Sequence, residues 1–345
     1  MTTPGGAEDP VPPPNSATLA PRRLRWALLG ASLAYAAPEL PGRETVIHLL
    51  RRYALRFDAR VEGVFGGSLR FEGNPLVDSA TFQTMCLRFA EPVLAPVLEA
   101  ALRPGGFFVD VGANVGVYTL WAARCVGEEG RVEAFEPVPE PRAWLERNVA
   151  LNGFTQVSIL PKGLGESPGR ITLYRPLRAS GLSSRYLAER DGPVEVEVTT
   201  LDDHFADGRA TPDLLKIDVE GMELEVLKGG RALLAAAEPP LLVLEAQPKH
   251  LEAAGTSYAE LCAFLREAGG YATWSLGPDG IEREPDDAVV PASDDVVAAR
   301  PDSERHARVL ETLSRARFRD QRASSHTRLL APVLGAVRNL LRSRA

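Results

Sequence analysis

Cysteine is nearly absent. Cys86, Cys125 and Cys262 are the only three in 345 residues, widely spaced and odd in number, with no CxxC and no Cys/His grouping. That leaves no basis for a disulfide scaffold or a structural zinc site and fits a reducing cytoplasm. Lysine is almost as rare: Lys162, Lys216, Lys228 and Lys249 are the only lysines among 39 basic side chains. With abundant Ala, Pro and Gly this reads as GC-rich, bacterial coding. Where arginine is the default, a retained lysine marks a place that wants a compact cation, because ammonium and guanidinium are not interchangeable. The longest apolar stretch is shorter than the ~20 residues that cross a bilayer. What remains, 45% hydrophobic and 25% charged, is ordinary globular composition and excludes a wholly disordered, collagenous or multi-spanning chain.

The net charge of −7 conceals an asymmetry. From Ser303 onward ten arginines face only Glu304, Glu311 and Asp320, so the last 43 residues carry +7 and the first 302 carry −14. An acidic body does not track a phosphate backbone, and nucleic acid is not an expected partner.

Residues 1–20 are rich in proline with little to bury and read as a disordered leader. In PRRLRWALLGASLAYAAPEL, three arginines precede an apolar run that ends near Ala37. The pattern resembles a secretory signal, but the long leader ahead of it favours a buried or surface-lying helix. Residues 21–103 read as an extension: an amphipathic helix over 41–57, a hairpin around Gly66-Gly67, and a helix over about 82–102. Residues 104–280 form the main domain, 281–302 an acidic, Pro-containing linker, and 303–345 a basic amphipathic helical tail. That tail suits packing on its own domain and an interfacial membrane or protein contact equally well.

From Phe107 the runs FFVDV, VEAFE, VSIL, LLKIDV and LLVLEA are short and almost wholly apolar, as parallel strands covered on both faces require. Helical stretches at Val117–Arg124, Glu140–Leu151 and Met222–Leu234 separate them, which predicts a doubly wound sheet. Period-two segments at Arg170–Tyr174 and Val194–Thr199 flank a polar loop. They predict an inserted ribbon whose loop, at Ser180–Ser184, is placed to close over a ligand.

The informative stretch is FFVDVGANVGVYTL, residues 107–120. A strand ends at Asp110-Val111, Gly112 and Gly116 make a tight turn, and a helix opens at once, offering backbone N–H donors to a ligand that comes close. Asn114 stands where a dinucleotide fingerprint has its central glycine, which weakens an NAD reading. The next strand ends in Glu136, 20 residues beyond Gly116, where a carboxylate accepts hydrogen bonds from the two ribose hydroxyls of a nucleoside.

With FEGNPLVD, NVALNG, TTLDD and above all LLKIDVEGMELEVLKGG downstream, the chain resembles the FkbM-type S-adenosylmethionine-dependent methyltransferases from about Phe71 to Leu276. The resemblance implies a class I methyltransferase (Rossmann-like) α/β fold, a seven-stranded sheet with its last strand antiparallel, an N-terminal α/β extension and a C-terminal helical tail. Residue by residue it implies that Asp110, Gly112, Asn114 and Gly116 line the methionine part of S-adenosylmethionine. Glu136 holds the ribose, Gly163 and Leu164 border adenine, and Asp218 faces the transferring methyl. Lys162 departs from the small or neutral residue expected beside Gly163.

The implied reaction is in-line transfer to an oxygen or nitrogen of a small molecule such as a sugar or secondary metabolite, in which alignment and the acceptor's proton are what the protein manages. Asp218 and Glu220, two apart at a strand end, are the candidate bases, and Lys216 either tunes them or pairs structurally. Glu223 and Glu225 read as the exposed face of the next helix, and His204 as a solvated loop histidine. No metal site is expected, since Glu245 with Asp218 and Gln247 makes a sparse cage for magnesium. The competing readings are an NAD-dependent oxidoreductase and a non-catalytic nucleoside-binding scaffold.

Overall fold

The computed structural model of the chain describes residues 59–63, 69–73, 94–176, 190–206, 208–277, 279–316 and 318. The leader, the apolar run to Ala37, the helix expected over 41–57, the loop at 180–184 and the tail beyond 318 lie outside the described residues.

The expected hairpin is present as β1 (Ala59–Gly63) and β2 (Leu69–Gly73), antiparallel with Ala59 opposite Gly73. Helix α1 (Ala95–Ala101) is the described part of the helix expected before residue 102. Then come β3 (Phe107–Val111), α2 (Val117–Val126), β4 (Arg131–Phe135), α3 (Pro139–Asn152) and β5 (Val157–Leu160). Proline at the first turn of α3 and a left-handed Gly153 at its end set its bounds. The ribbon follows as a separate sheet of β6 (Gly163–Leu164), β7 (Gly169–Pro176) and β8 (Arg190–Thr199), in the order β6-β8-β7.

After the single turn α4 (Leu201–His204), the chain returns to the main sheet as β9 (Leu214–Ile217) and β10 (Leu241–Glu245). The helix expected between them over Met222–Leu234 is two, α5 (Glu223–Lys228) and α6 (Arg231–Leu234). They part at Gly229, where a side chain would sit 2.1 Å from the Gly165 carbonyl oxygen, so the two backbones meet at a position that only glycine can fill. Helices α7 (Pro248–Ala253) and α8 (Tyr258–Gly269) lead to β11 (Ala272–Gly277), β12 (Gly280–Arg283), β13 (Asp295–Ala299) and α9 (Glu304–Ser314). Ser257 and Glu260 form a reciprocal capping box that starts α8.

The main sheet has the order β12-β11-β13-β10-β9-β3-β4-β5. Strands β5, β4, β3, β9 and β10 are parallel, and β13 runs antiparallel between β10 and β11. A last strand reversed and slotted in before its predecessor is the class I methyltransferase arrangement, as the resemblance implies. The count differs from the expected seven because β12 adds an eighth strand at the edge. The expected acidic linker is also corrected. Residues 295–299 form an interior strand with Val296, Val297, Ala298 and Ala299 fully buried, so the main domain runs past 280. Alternate residues of each strand feed two apolar layers: Phe108, Leu214, Val243 and Val297 face α1, α2 and α9, whereas Val109, Leu215, Leu244 and Val296 face α5 to α8. Each such side chain contributes roughly 1.5–3 kcal/mol. The described start of the tail, α9, buries Val309 and Leu313 on this domain. Among the described residues no helix is long and apolar enough to cross a membrane.

The hairpin is held by amides. Asn148 accepts from the Glu72 N–H (2.7 Å) and donates to the Glu72 carbonyl (2.9 Å) and to the Val115 carbonyl (3.0 Å). One turn later, Asn152 repeats the exchange with Arg70 at 2.8 and 2.7 Å. Two asparagines at i and i+4 thus present α3 to β2 as if it were a neighbouring strand, which assigns a role to the NVALNG segment. Asn148→Ala removes the side-chain partner of the buried Val115 carbonyl and of two half-buried Glu72 backbone groups, and should lower unfolding stability by about 2–4 kcal/mol in urea denaturation.

Candidate functional site

The chain leaves β3 through a turn that only this backbone allows. Gly112, Asn114 and Gly116 all have positive φ, at 79°, 51° and 94°. The Gly112 and Ala113 N–H groups both donate to the Phe135 carbonyl at the end of β4, each at 3.0 Å. A side chain at Gly112 would lie 1.9 Å from the Asp218 carbonyl oxygen, so glycine there is what lets the β3 turn and the segment after β9 come together.

Glu136 closes the turn from the other side. Its Oε2 accepts from the Asn114 N–H (2.9 Å) and its Oε1 from the Val138 N–H (2.8 Å), just ahead of α3. The side chain is only 6% exposed. Burial pushes its pKa up to about 7 against the opposing pull of those two N–H groups. The carboxylate therefore binds the glycine turn to the start of the next helix, as well as facing the cavity.

That cavity, open to solvent, lies at the carboxyl ends of β3, β4 and β9, where strand order reverses. Gly112, Asn114, Glu136, Gly163, Leu164, Asp218 and Glu220 all line it. Ile171, Leu173 and Val196 of the ribbon supply an apolar wall that sequence reading did not foresee. Lys162 lines it too, with its ammonium drawn off to Glu197 on β8 at 2.8 Å.

Two residues expected to line the cavity do not, and Lys216, expected to tune or to pair with a carboxylate, lies beneath it against Asp218. Asp110 does not line the cavity: it is buried beneath the turn, where its Oδ2 accepts from the Thr119 hydroxyl (2.6 Å) and ties β3 to α2. Burial raises its pKa, an effect that Lys216 opposes. Gly116 does not line it either; a side chain there would meet Leu145 at 2.5 Å, so this glycine admits α3 against the turn. Lys216 is 3% exposed and underlies the site. Its Nζ lies 2.8 Å from Asp218 Oδ2, 3.8 Å from Asp110 Oδ1 and 4.9 Å from the centre of the Tyr118 ring. Burial lowers its pKa, but Asp218 and Asp110 together raise it further, so the ammonium stays charged. This narrow slot between two carboxylates and a ring suits a compact cation, which accounts for a lysine in an arginine-dominated chain.

Two more expectations are corrected. Glu223 is not on an exposed helix face: it is 1% exposed, and its Oε1 accepts from the Val219 and Gly221 N–H groups, both at 3.1 Å. Burial pushes its pKa up to about 7. His204 is neither solvated nor in the site. Its Nε2 pairs with Glu133 at 2.7 Å, and its ring stands edge-on to Phe135 and Phe205 at 4.9 Å.

A residue that sequence reading missed lies beside Glu220. Glu220 has a positive φ of 54° and is buried, with Oε2 2.9 Å from His250 Nδ1. Glu245, at the end of β10, approaches the same nitrogen at 3.8 Å. The two carboxylates raise the imidazole pKa to about 10, while burial and Asp218 push Glu245 up to about 9. The only sequence signal was a histidine five residues beyond a strand-end acid.

Residues 110–271 match the family model of the methyltransferase FkbM domain. This segment is an FkbM-type methyltransferase domain. Its relatives include methyltransferase sdnD of Sordaria araneosa, 33% identical over 38% of this chain and 62% of its own length. The 31-O-demethyl-FK506 methyltransferase FkbM of Streptomyces tacrolimicus is 33% identical over 37% and 60%. The hexuronic acid methyltransferase AglP of Haloferax volcanii is 32% identical over 41% and 57%. The chain thus spans about three-fifths of the length of the curated relatives it matches. The FkbM match covers the glycine turn, Glu136 and the Asp218–Glu220 segment, and it stops ahead of β11, β12 and β13.

In this FkbM domain the Lys216 slot gives a direct test. Lys216→Met strands two carboxylates and should cost about 3–5 kcal/mol of unfolding stability by denaturant titration. Lys216→Arg should not restore it, because the guanidinium does not fit the slot.

Proposed function

We propose that the chain transfers a methyl group from S-adenosylmethionine to a hydroxyl of a small molecule, a sugar or secondary metabolite. The observation that carries this is one cavity with a nucleoside-type cradle, Gly112, Asn114 and Glu136, at one side and strand-end carboxylates, Asp218 and Glu220, at the other. The residues present fit the cofactor. Each Glu136 oxygen holds one backbone N–H, which leaves lone pairs for ribose hydroxyls. Leu164, Ile171, Leu173 and Val196 offer a flat apolar berth for adenine.

When bound, S-adenosylmethionine supplies an electrophilic methyl carbon on a sulfonium. The protein's part is alignment and proton handling. Asp218, about 29% exposed, has Oδ2 engaged by Lys216, so Oδ1 is the oxygen that accepts the acceptor's hydroxyl proton. Lys216 sets the orientation of that carboxylate without touching the reacting atoms. The oxygen acceptor and its class follow the names of two relatives, which act on a demethylated FK506 and on a hexuronic acid.

The pKa of Glu136 gives a signed test. Above about pH 7 the side chain is a carboxylate and can accept from ribose; below it the proton is retained. S-adenosylhomocysteine should therefore bind about tenfold more tightly at pH 8 than at pH 6 by isothermal titration calorimetry. Glu136→Gln should flatten that dependence, and NAD titrated in parallel should not saturate. Asp218→Asn should lower kcat by about 100-fold or more while leaving S-adenosylhomocysteine affinity within about twofold. Full turnover in that variant would remove the general-base role.

A further inference from the structure

Glu220, Glu245 and His250 arrive from three different segments: the loop after β9, the last residue of β10 and the first turn of α7. One potential ligand atom from each lies within 4.8 Å of the others. The two separations to His250 Nδ1, 2.9 and 3.8 Å, are those of atoms that share one ion at about 2.0–2.2 Å.

The arrangement is built rather than incidental. Glu220 takes a left-handed backbone, and the following Gly221, at φ 103°, lets that loop press against α7, since a side chain there would sit 2.6 Å from the His250 carbonyl oxygen. Gln247 donates to Glu245 Oε1 at 3.1 Å, which turns Oε2 toward the imidazole as an outer-shell partner does. Glu245 Oε2 is buried and, at 3.8 Å from His250 Nδ1, is left without a partner at hydrogen-bond distance, a state that an ion between the two would relieve. Charge points the same way. Asp218 shares the cavity, Asp295 stands opposite Glu245 in the β10–β13 register, and the nearby Lys216 is held between Asp110 and Asp218.

We propose that Glu220, Glu245 and His250 bind a divalent first-row transition-metal ion at the acceptor end of the cavity, and that this ion chelates acceptors carrying two adjacent oxygens, such as a vicinal diol or a hydroxy-carboxylate. One imidazole with two carboxylates suits manganese or zinc better than magnesium, which prefers an all-oxygen shell. Three protein ligands leave coordination positions open, and Glu220 lines the cavity, so the open side faces the acceptor. The chelation half rests on the methyl-transfer reading. There the ion lowers the pKa of the acceptor hydroxyl, whose proton passes to Asp218. The oxygen then forms its bond to the methyl carbon as the carbon–sulfur bond breaks and its electron pair stays on sulfur.

The test uses the full chain after chelator treatment and dialysis. MnCl2 is titrated by electron paramagnetic resonance and ZnCl2 by calorimetry, with S-adenosylhomocysteine affinity measured on the same samples. The expected result is one saturable ion per chain, weaker occupancy by MgCl2, and affinity at least about tenfold lower in both His250→Ala and Glu245→Gln. S-adenosylhomocysteine affinity is expected within about twofold of wild type in those variants, which also shows that they are folded. Water-proton relaxation of the manganese-loaded protein should fall on adding glucuronate and not on adding cyclohexanol. No saturable binding of either ion, or equal binding in both variants, overturns the metal site. Equal response to glucuronate and cyclohexanol overturns chelation. Failure of wild type to bind S-adenosylhomocysteine removes the cofactor reading and leaves the metal titration to stand or fall alone.

Discussion

The Lys216 ammonium, enclosed between Asp110 and Asp218, is the contact on which the rest of the molecule turns. Lys216 lies directly across from Asp110 in the β3–β9 register, at the point where the sheet changes the direction in which it grows. Parallel strands at such a reversal splay their connections to opposite sides and leave a crevice. A buried cation that bridges the two strand ends keeps that crevice at a fixed width. Desolvating a lysine is expensive and is offset only because two carboxylates share it. The glycine turn above, with Gly112 against the Asp218 backbone, completes the same junction from the main-chain side.

Within that frame the two ends of the cavity do different work. The Glu136 end is pinned by backbone N–H groups and lined by aliphatic side chains of the ribbon. The Asp218 end is crowded with acids that came from separate strands and loops. At that end the Asp218 and Glu220 carboxylates are each met by a cation, Lys216 and His250, so charge there is paired rather than open.

The sequence exposed much of this and hid the remainder for definite reasons. The parallel strands were legible because full burial on both faces leaves continuous apolar runs, and the turn was legible because glycines at fixed offsets announce it. Glu136 was legible from its distance to that turn. Strand β13 was not, because its four buried residues are small and sit behind proline and aspartate, which read as linker. Glu223 looked like surface charge because nothing in a sequence tells that a helix begins by folding its own carboxylate back onto two N–H groups. Asp110 and Gly116 were expected to line the cavity and lie beneath it instead, because spacing gives proximity along the chain and not which atoms face the void. His250 could not be foreseen from spacing alone, because its relation to Glu220 exists only once α7 packs against the loop after β9.

The asparagine contacts of the hairpin carry one more implication. Asn148 bonds the leading strand through Glu72 and, with the same amide, the carbonyl of Val115 inside the glycine turn. A single side chain therefore ties the hairpin and the glycine turn to the same helix. The shared amide fixes the distance between β2 and the turn above β3, so neither can shift relative to α3 without breaking one of its bonds. The hairpin ahead of the main sheet is in this sense mechanically continuous with the turn above β3.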